Sequence, residues 1–230
     1  MRHSLYLLFF AILLCASCGN DNLNVMITGE IKGLKKGTLF LERLEDTTVV
    51  VLDSVNILGD PNFQFNIALA EPEVLYLSLD ANSNEEPRVA FFADSGLTTI
   101  NTTLKRFYHD AKIEGSEEQT LWNRHKEMLS YFNNENLDLI KSEFEFAEDS
   151  VKVDSIKHLR ERNFVRRYQY TINFAKTNSN SALAPYILLT EVSDANISYL
   201  DTVYEALTPE VAVTKYGKYL KEFIDSNKKE

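Results

Sequence analysis

The two cysteines of this 230-residue sequence are the first residues whose spacing suggests chemistry. Cys15 and Cys18 form a Cys-x-x-Cys, the spacing of a thioredoxin-type redox pair. Such a pair needs the start of a folded helix to lower the pKa of one thiol. Here both cysteines end an apolar N-terminal segment, and no cysteine follows them. We therefore expect neither a redox pair nor a cysteine nucleophile in the exported protein.

The N-terminal segment predicts export. It has a basic start at Arg2, a nearly uninterrupted apolar stretch over 5–14, and small residues after it. The stretch is shorter than the roughly 20 apolar residues that span a bilayer. Ala16-Ser17-Cys18 resembles the end of a bacterial lipoprotein signal, although Cys15 stands where that family usually has Leu.

The lipoprotein resemblance implies cleavage of residues 1–17 and attachment of a diacylglycerol to the Cys18 thiol. Two acyl chains are enough for stable membrane anchoring. We expect a lipid-anchored cell-envelope protein, with the outer membrane favoured. An ordinary cleaved signal and an uncleaved anchor remain the alternatives.

The rest of the sequence offers little catalytic chemistry. The later histidines, His109, His125 and His158, are not spaced as metal ligands, and His125 lies near an apolar helical stripe. Asp53 and Ser54 lie in a Val-rich strand, where an edge or buried polar pair is the favoured interpretation. We expect no metal and no cofactor. The 34 acidic residues leave a paired-carboxylate hydrolase open.

Charge argues against nucleic acid as a partner. The formal net charge is −10 and the pI is near 5.0, so the surface repels polyphosphate. A basic run spans 157–167. We interpret it as a solvated helix face that pairs with acidic residues upstream.

A recurring tripeptide suggests a modification. Asp, then Ser or Thr, then a small apolar residue or Thr resembles the O-glycosylation sequence of exported proteins from Bacteroidota-type bacteria. The candidate acceptors are Thr47, Ser54, Ser150, Ser155 and Thr202. We favour Ser150, Ser155 and Thr47, because Ser54 fits a strand and Thr202 a helix. Ser150 is the best candidate, since its sequence context is the most loop-like.

The apolar pattern predicts an α+β fold with two regions. Residues 25–115 contain seven or eight short alternating runs separated by turn residues, which predicts an antiparallel β-sandwich or small barrel. From Ser116, which begins a capping box, the apolar period becomes helical and continues to 226. We expect an interruption at 133–136 and a last helix from Thr208.

The flanking segments are predicted to be irregular. Residues 18–24 are short and polar, which is typical of a tether between the lipid and the domain. Residues 227–230 are expected to form a frayed polar tail.

Several short phrases, in their order and spacing, carry a second resemblance. They include Ile27-Thr28-Gly29-Glu30-Ile31, Leu52-Asp53-Ser54-Val55, Phe91-Phe92-Ala93-Asp94-Ser95-Gly96 and Leu207-Thr208-Pro209-Glu210. Together they resemble the uncharacterised domain that precedes a thioredoxin-like domain in TlpA- and ResA-like thiol-disulfide lipoproteins of Bacteroidota-type bacteria.

The resemblance implies a module without catalytic residues of its own. In those relatives the Cys-x-x-Cys belongs to a thioredoxin fold after the last helix, and no such sequence follows Ile224 here. We therefore expect a non-catalytic, lipid-anchored envelope module that binds a protein partner or ligand. The alternatives are an accessory of a separately encoded thioredoxin-like protein and an unrecognised hydrolase.

The anchor can be tested directly. Substitution Cys18→Ala should abolish incorporation of labelled palmitate and release the protein from membranes, because both acyl chains depend on that thiol. Cys15→Ala is the matched control and should retain both properties. Unchanged labelling of the Cys18→Ala protein would contradict the lipoprotein assignment.

Overall fold

The computed structural model describes residues 23–45, 48–79 and 88–228. The predicted signal peptide, Cys18 and Thr47 lie outside these residues. Eight strands come first in the described part of the chain: β1 (Leu23–Lys32), β2 (Lys36–Glu45), β3 (Thr48–Leu58), β4 (Asn62–Leu69), β5 (Glu73–Leu79), β6 (Val89–Ala93), β7 (Gly96–Thr103) and β8 (Lys112–Glu114), with a single 3-10 turn (Leu104–Arg106) before β8. Six α-helices follow among the described residues: α1 (Glu117–Glu145), α2 (Ser150–Thr177), α3 (Leu183–Glu191), α4 (Ile197–Ala206), α5 (Pro209–Ala212) and α6 (Lys215–Asn227).

The strands form two four-stranded sheets, in the orders β4-β1-β7-β8 and β3-β2-β5-β6. Alternating side chains from both sheets meet between them, and Ile27, Phe65, Leu77 and Phe91 are almost fully buried there. Each such side chain contributes roughly 1.5–3 kcal/mol when it leaves water. The sandwich therefore has a core of its own.

The α+β prediction is confirmed, with differences in detail. The strands form two sheets that are not closed into a barrel. The sheets are not wholly antiparallel, because β1 pairs parallel with β7 along their whole common length. The predicted tether is also two residues too long, since Leu23 and Asn24 begin β1.

The change from strand to helix occurs at Gly115 and Ser116, where the spacing of apolar residues in the sequence changes. Gly115 has φ +157°, and a Cβ there would lie 2.7 Å from the carbonyl oxygen of Leu97. Ser116 then caps α1, because its hydroxyl accepts from the Gln119 N–H at 3.1 Å. The predicted return bond of the capping box does not form, since the Gln119 side chain bonds elsewhere.

Helices α1 and α2 form a long antiparallel hairpin. The interruption expected at 133–136 is wrong, because α1 continues unbroken to Glu145. The polar side chains of this segment bond to α2 instead. The Asn136 side chain, for example, accepts from Arg160 Nε at 3.3 Å. No described helix is both long and apolar enough to cross a membrane.

The C-terminal helices differ from prediction in where they begin and end. The helix expected from Thr208 is the single turn α5, and a separate helix α6 starts after Thr214, whose hydroxyl accepts from the Gly217 N–H at 3.2 Å. Gly217 allows α6 to pack closely against α5, since a Cβ would lie 2.3 Å from the Val211 carbonyl oxygen. The C-terminal tail was predicted to begin at residue 227, but Asn227 still belongs to α6.

The helix cap gives a stability prediction. Replacing Ser116 by Ala should lower the free energy of unfolding by about 1 kcal/mol, because the Gln119 N–H loses its acceptor. Ser130→Ala, on the exposed surface within α1, should change it by less than about 0.5 kcal/mol. Chemical denaturation of both variants measures the difference, and equal effects would contradict the capping role.

Candidate partner-binding surface

The helices are positioned by a buried hydrogen bond to the free edge of strand β6. The Gln119 side chain is fully buried, and its Oε1 accepts from the Phe92 N–H at 2.7 Å. Its Nε2 donates to Asn123 Oδ1 at 2.7 Å, and Asn123 in turn donates to the Ile113 carbonyl oxygen at 2.8 Å. The first turns of α1 are therefore hydrogen-bonded to strands of both sheets.

An aromatic cluster packs around the same point. The rings of Trp122, Tyr186 and Tyr216 surround Phe92, each with its centroid 6.3 Å from that of Phe92. The Tyr216 hydroxyl also accepts from the Val74 N–H at 2.9 Å. Burial raises the pKa of the Tyr186 and Tyr216 hydroxyls far above the usual range, so both stay neutral.

The buried acidic residues near this junction are held by structural donors. Glu73 binds Arg43 Nη2 at 2.5 Å and Lys215 Nζ at 3.2 Å. Glu42 binds Arg88 Nε at 2.6 Å. These carboxylates are bound to cations within the fold, an arrangement that anchors elements rather than exposing a reactive group.

The base of the hairpin holds a buried histidine. His125 is fully buried, stacks on Tyr170 and lies with its Nε2 3.1 Å from Glu191 Oε2. Its Nδ1 finds no hydrogen-bond partner among the described residues. Beside it, burial lowers the pKa of Lys126, whose Nζ lies 4.2 Å from the Trp122 ring centroid. His125 thus serves packing, as its place on the apolar stripe predicts.

A buried asparagine sets the register of the hairpin. Asn163 is almost fully buried in α2, and its Nδ2 donates to the Phe132 carbonyl oxygen at 2.9 Å. Further out, Arg160 Nη1 binds Glu143 Oε2 at 2.7 Å. All hydrogen bonds and ion pairs formed by described residues 133–162 stay within the hairpin.

The outer half of the hairpin projects from the domain. From Phe132, the last buried residue of α1, to Glu145 the helix extends by roughly 20 Å at 1.5 Å per residue. Because only α1 and α2 cover each other there, much apolar surface stays exposed. Phe144 near the tip is 78% exposed, and Phe164 is 51% exposed.

One side of this outer half is a continuous groove, which we call the hairpin groove. It consists of two adjoining cavities, of about 610 and 380 Å³, that share Arg160. Its lining includes Phe132, Asn133, Asn136, Ile140, Glu143, Phe144, Ala147, Val153, Lys157, Arg160, Glu161, Phe164 and Arg167. The aromatic and basic character of this lining suits a protein segment rather than a small polar substrate.

Charge is segregated along the hairpin. Residues 143–149 at the tip carry four acids and no base, whereas 157–167 carry five bases and one acid. Internal pairing is incomplete, since no described ion pair involves Glu145, Glu148, Lys157, Arg162 or Arg167. The basic run lies on α2 but does not form one face, because Lys157, Arg160 and Arg167 line the groove whereas Arg162 and Arg166 do not. Among the described residues of this run, only Arg160 and Arg166 pair with acids upstream.

The structure separates the candidate modification sites. Ser150 is exposed at the first turn of α2, directly after its cap Asp149, rather than in a loop. Ser155 is exposed within the helix, and its hydroxyl donates to the Val151 carbonyl oxygen at 3.0 Å. Thr47 lies outside the described residues. Glycosylation at these positions stays a prediction.

Other residues with catalytic potential are scattered. Ser54 and Asp53 lie exposed on the edge strand β3, where the Asp53 carboxylate accepts from the Ser54 N–H at 2.7 Å. No group of three or more His, Cys, Asp or Glu residues in the described chain is arranged to hold a metal ion. The hairpin groove therefore stands out as the candidate site, and the separated acidic and basic runs were the signal for it in the sequence.

The match to a known family covers the sandwich and the first turns of α1. Residues 25–122 match the domain of unknown function DUF4369. The DUF4369 match includes Phe92, Gln119 and Trp122, and it stops before the outer hairpin. A comparison with curated proteins gives no match.

The hairpin gives a paired prediction. Asn163→Ala should lower the free energy of unfolding by about 0.5–1.5 kcal/mol, because the buried hydrogen bond between α2 and the Phe132 carbonyl is lost. Phe144→Ser should change it by less than about 0.5 kcal/mol, because the ring is already exposed to solvent. Thermal or urea unfolding tests both, and a large loss with Phe144→Ser would show that the ring serves folding instead.

Proposed function

We propose that this chain is a lipid-anchored, non-catalytic module of the cell envelope that binds a protein partner through the hairpin groove. The observation that carries the proposal is the projecting hairpin, whose groove combines exposed aromatic rings with basic side chains. An amphipathic helix laid into such a groove is a recurring mode of protein recognition.

The energetics of the hairpin support a binding role. A two-helix hairpin leaves the outer faces of both helices in water. The exposed rings of Phe144 and Phe164 therefore contribute favourable hydrophobic free energy only when a partner covers them. The register of the hairpin does not depend on such a partner, because bonds from Asn163 and Arg160 already fix it. A preformed surface loses less conformational entropy on binding than one that must order.

The non-catalytic part of the proposal rests on how polar groups are used. Glu42, Glu73 and Gln119 are buried, and each is bound to a group that joins two elements. The exported location rests on the N-terminal segment alone. Both parts are consistent with a sandwich that presents the hairpin away from its own core.

Photo-crosslinking tests the proposed surface. A photoreactive amino acid at Phe144 or Phe164 should give a discrete crosslinked product in intact cells, because these rings lie in the groove. Leu58 is the matched control, since it is 77% exposed on the sandwich but distant in the chain from the hairpin. Equal products from all three positions, or none from the groove, would refute the proposal.

A second candidate is an accessory role beside a separately encoded thioredoxin-like protein. The outer face of α6 favours it, because Lys218 and Tyr219 are exposed there at the end of the fold. Lys221 is less available, since it binds Asp225 at 2.9 Å.

The accessory role predicts an effect of charge on α6. Lys218→Glu should weaken stimulation of a purified thioredoxin-like envelope protein in an insulin-reduction assay, because docking at α6 would lose a cation. Lys105→Glu, on the sandwich, is the control and should have no effect. If neither variant differs from the natural protein, α6 is not the docking surface.

A further inference from the structure

We infer that the partner which covers the hairpin groove is a second copy of this chain, paired antiparallel through a two-fold axis. This inference rests on the proposed function, because it names the occupant of the same surface. A two-fold interface must be self-complementary, so every feature on one half needs its counterpart on the other half of the same surface.

Charge provides the first complementary feature. The tip, residues 143–149, has a net charge of −4, counting four acids and no base. The α2 side of the larger cavity has a net charge of +2, because Lys157, Arg160 and Arg167 line it together with one acid, Glu161. Two copies in antiparallel orientation bring the tip of each to the basic cavity of the other. Opposite potentials then meet twice in one interface.

Shape provides the second feature. Phe144 projects at the tip, whereas the larger cavity, of about 610 Å³, is lined by Phe132 and Phe164. The Asn163–Phe132 bond places Phe164 level with Phe132, which is 12 residues or roughly 18 Å from Phe144 along α1. A two-fold axis midway between these levels puts each copy's Phe144 into the other copy's larger cavity.

The same axis pairs individual charges. In this arrangement Glu148, in the turn four residues after Phe144, faces Arg167, which lies three residues after Phe164 on α2. Neither has an ion pair among the described residues of its own chain. The Arg167 guanidinium lies 5.7 Å from the Phe164 ring centroid and so stands beside the cavity that receives Phe144.

The test exchanges these charges. The full lipidated protein in detergent should sediment as a concentration-dependent dimer. Glu148→Lys alone and Arg167→Glu alone should each weaken the dimer by at least about tenfold, because like charges then meet at both ends of the interface. An equimolar mixture of the two variants should dimerise as the natural protein does, since both contacts are opposite in charge again. Restoration in the mixture also shows that each variant is folded.

Two controls separate this inference from a general charge effect. Arg124→Glu, on the other side of the hairpin, should leave the dimer unchanged. In cells, Phe144→Cys and Phe164→Cys expressed on differently tagged copies should form a disulfide between the copies, whereas Tyr131→Cys with Phe164→Cys should not. Within one chain the roughly 18 Å separation forbids the Phe144–Phe164 bond.

The outcomes distinguish the two proposals. A protein that remains monomeric, with no disulfide between copies, overturns self-association. If the photoreactive group at Phe144 then captures a different protein, the proposed binding function stands with another partner. If that group captures nothing, both proposals are wrong. Dimers that ignore the Glu148 and Arg167 changes also overturn the inference, because they use another surface.

Discussion

The architecture depends on how the open edge of strand β6 is satisfied. An edge strand exposes backbone donors that pair with any strand in reach, and proteins must cover or block them. Here the Phe92 N–H is taken by a single buried amide, Gln119, at the start of a helix. The same contact stops sheet growth and fixes the helical region, so the hairpin points away from the sandwich in one direction only.

The aromatic cluster gives this contact its strength and specificity. Gln119 hydrogen-bonds in a region from which Phe92, Trp122, Tyr186 and Tyr216 exclude water. In such surroundings an unpaired amide would be costly, so only one docking of the helices leaves it satisfied. Two of these rings, Tyr186 and Tyr216, lie beyond the residues that match DUF4369. The matched domain therefore completes its own apolar surface with side chains from the helices that follow it.

The sequence predicted best where structure is local. The turn at Gly115 and the Ser116 cap depend on neighbouring residues, and both were placed correctly. The parallel pairing of β1 with β7 was missed because it joins residues about 70 positions apart, which periodicity does not register. The polar residues at 133–136 suggested a break, yet α1 continues because a distant helix packs along it and Asn136 finds a partner in Arg160. In the candidate site, the acidic and basic runs were visible, but which of their side chains line one groove depends on the hairpin register set by Asn163.

The bond between Val74 and Tyr216 has a consequence for how the protein is made. It joins residues 142 positions apart, so strand β5 waits for the last helix before its buried N–H is satisfied. Contacts of such sequence separation form late, and the intermediate leaves an apolar sheet face open to aggregation or proteolysis. Because the chain is synthesised from its N-terminus, the sandwich is complete well before its cover is made. Chaperones would have their greatest effect in that interval, and truncations that remove α6 would turn a transient exposure into a permanent one.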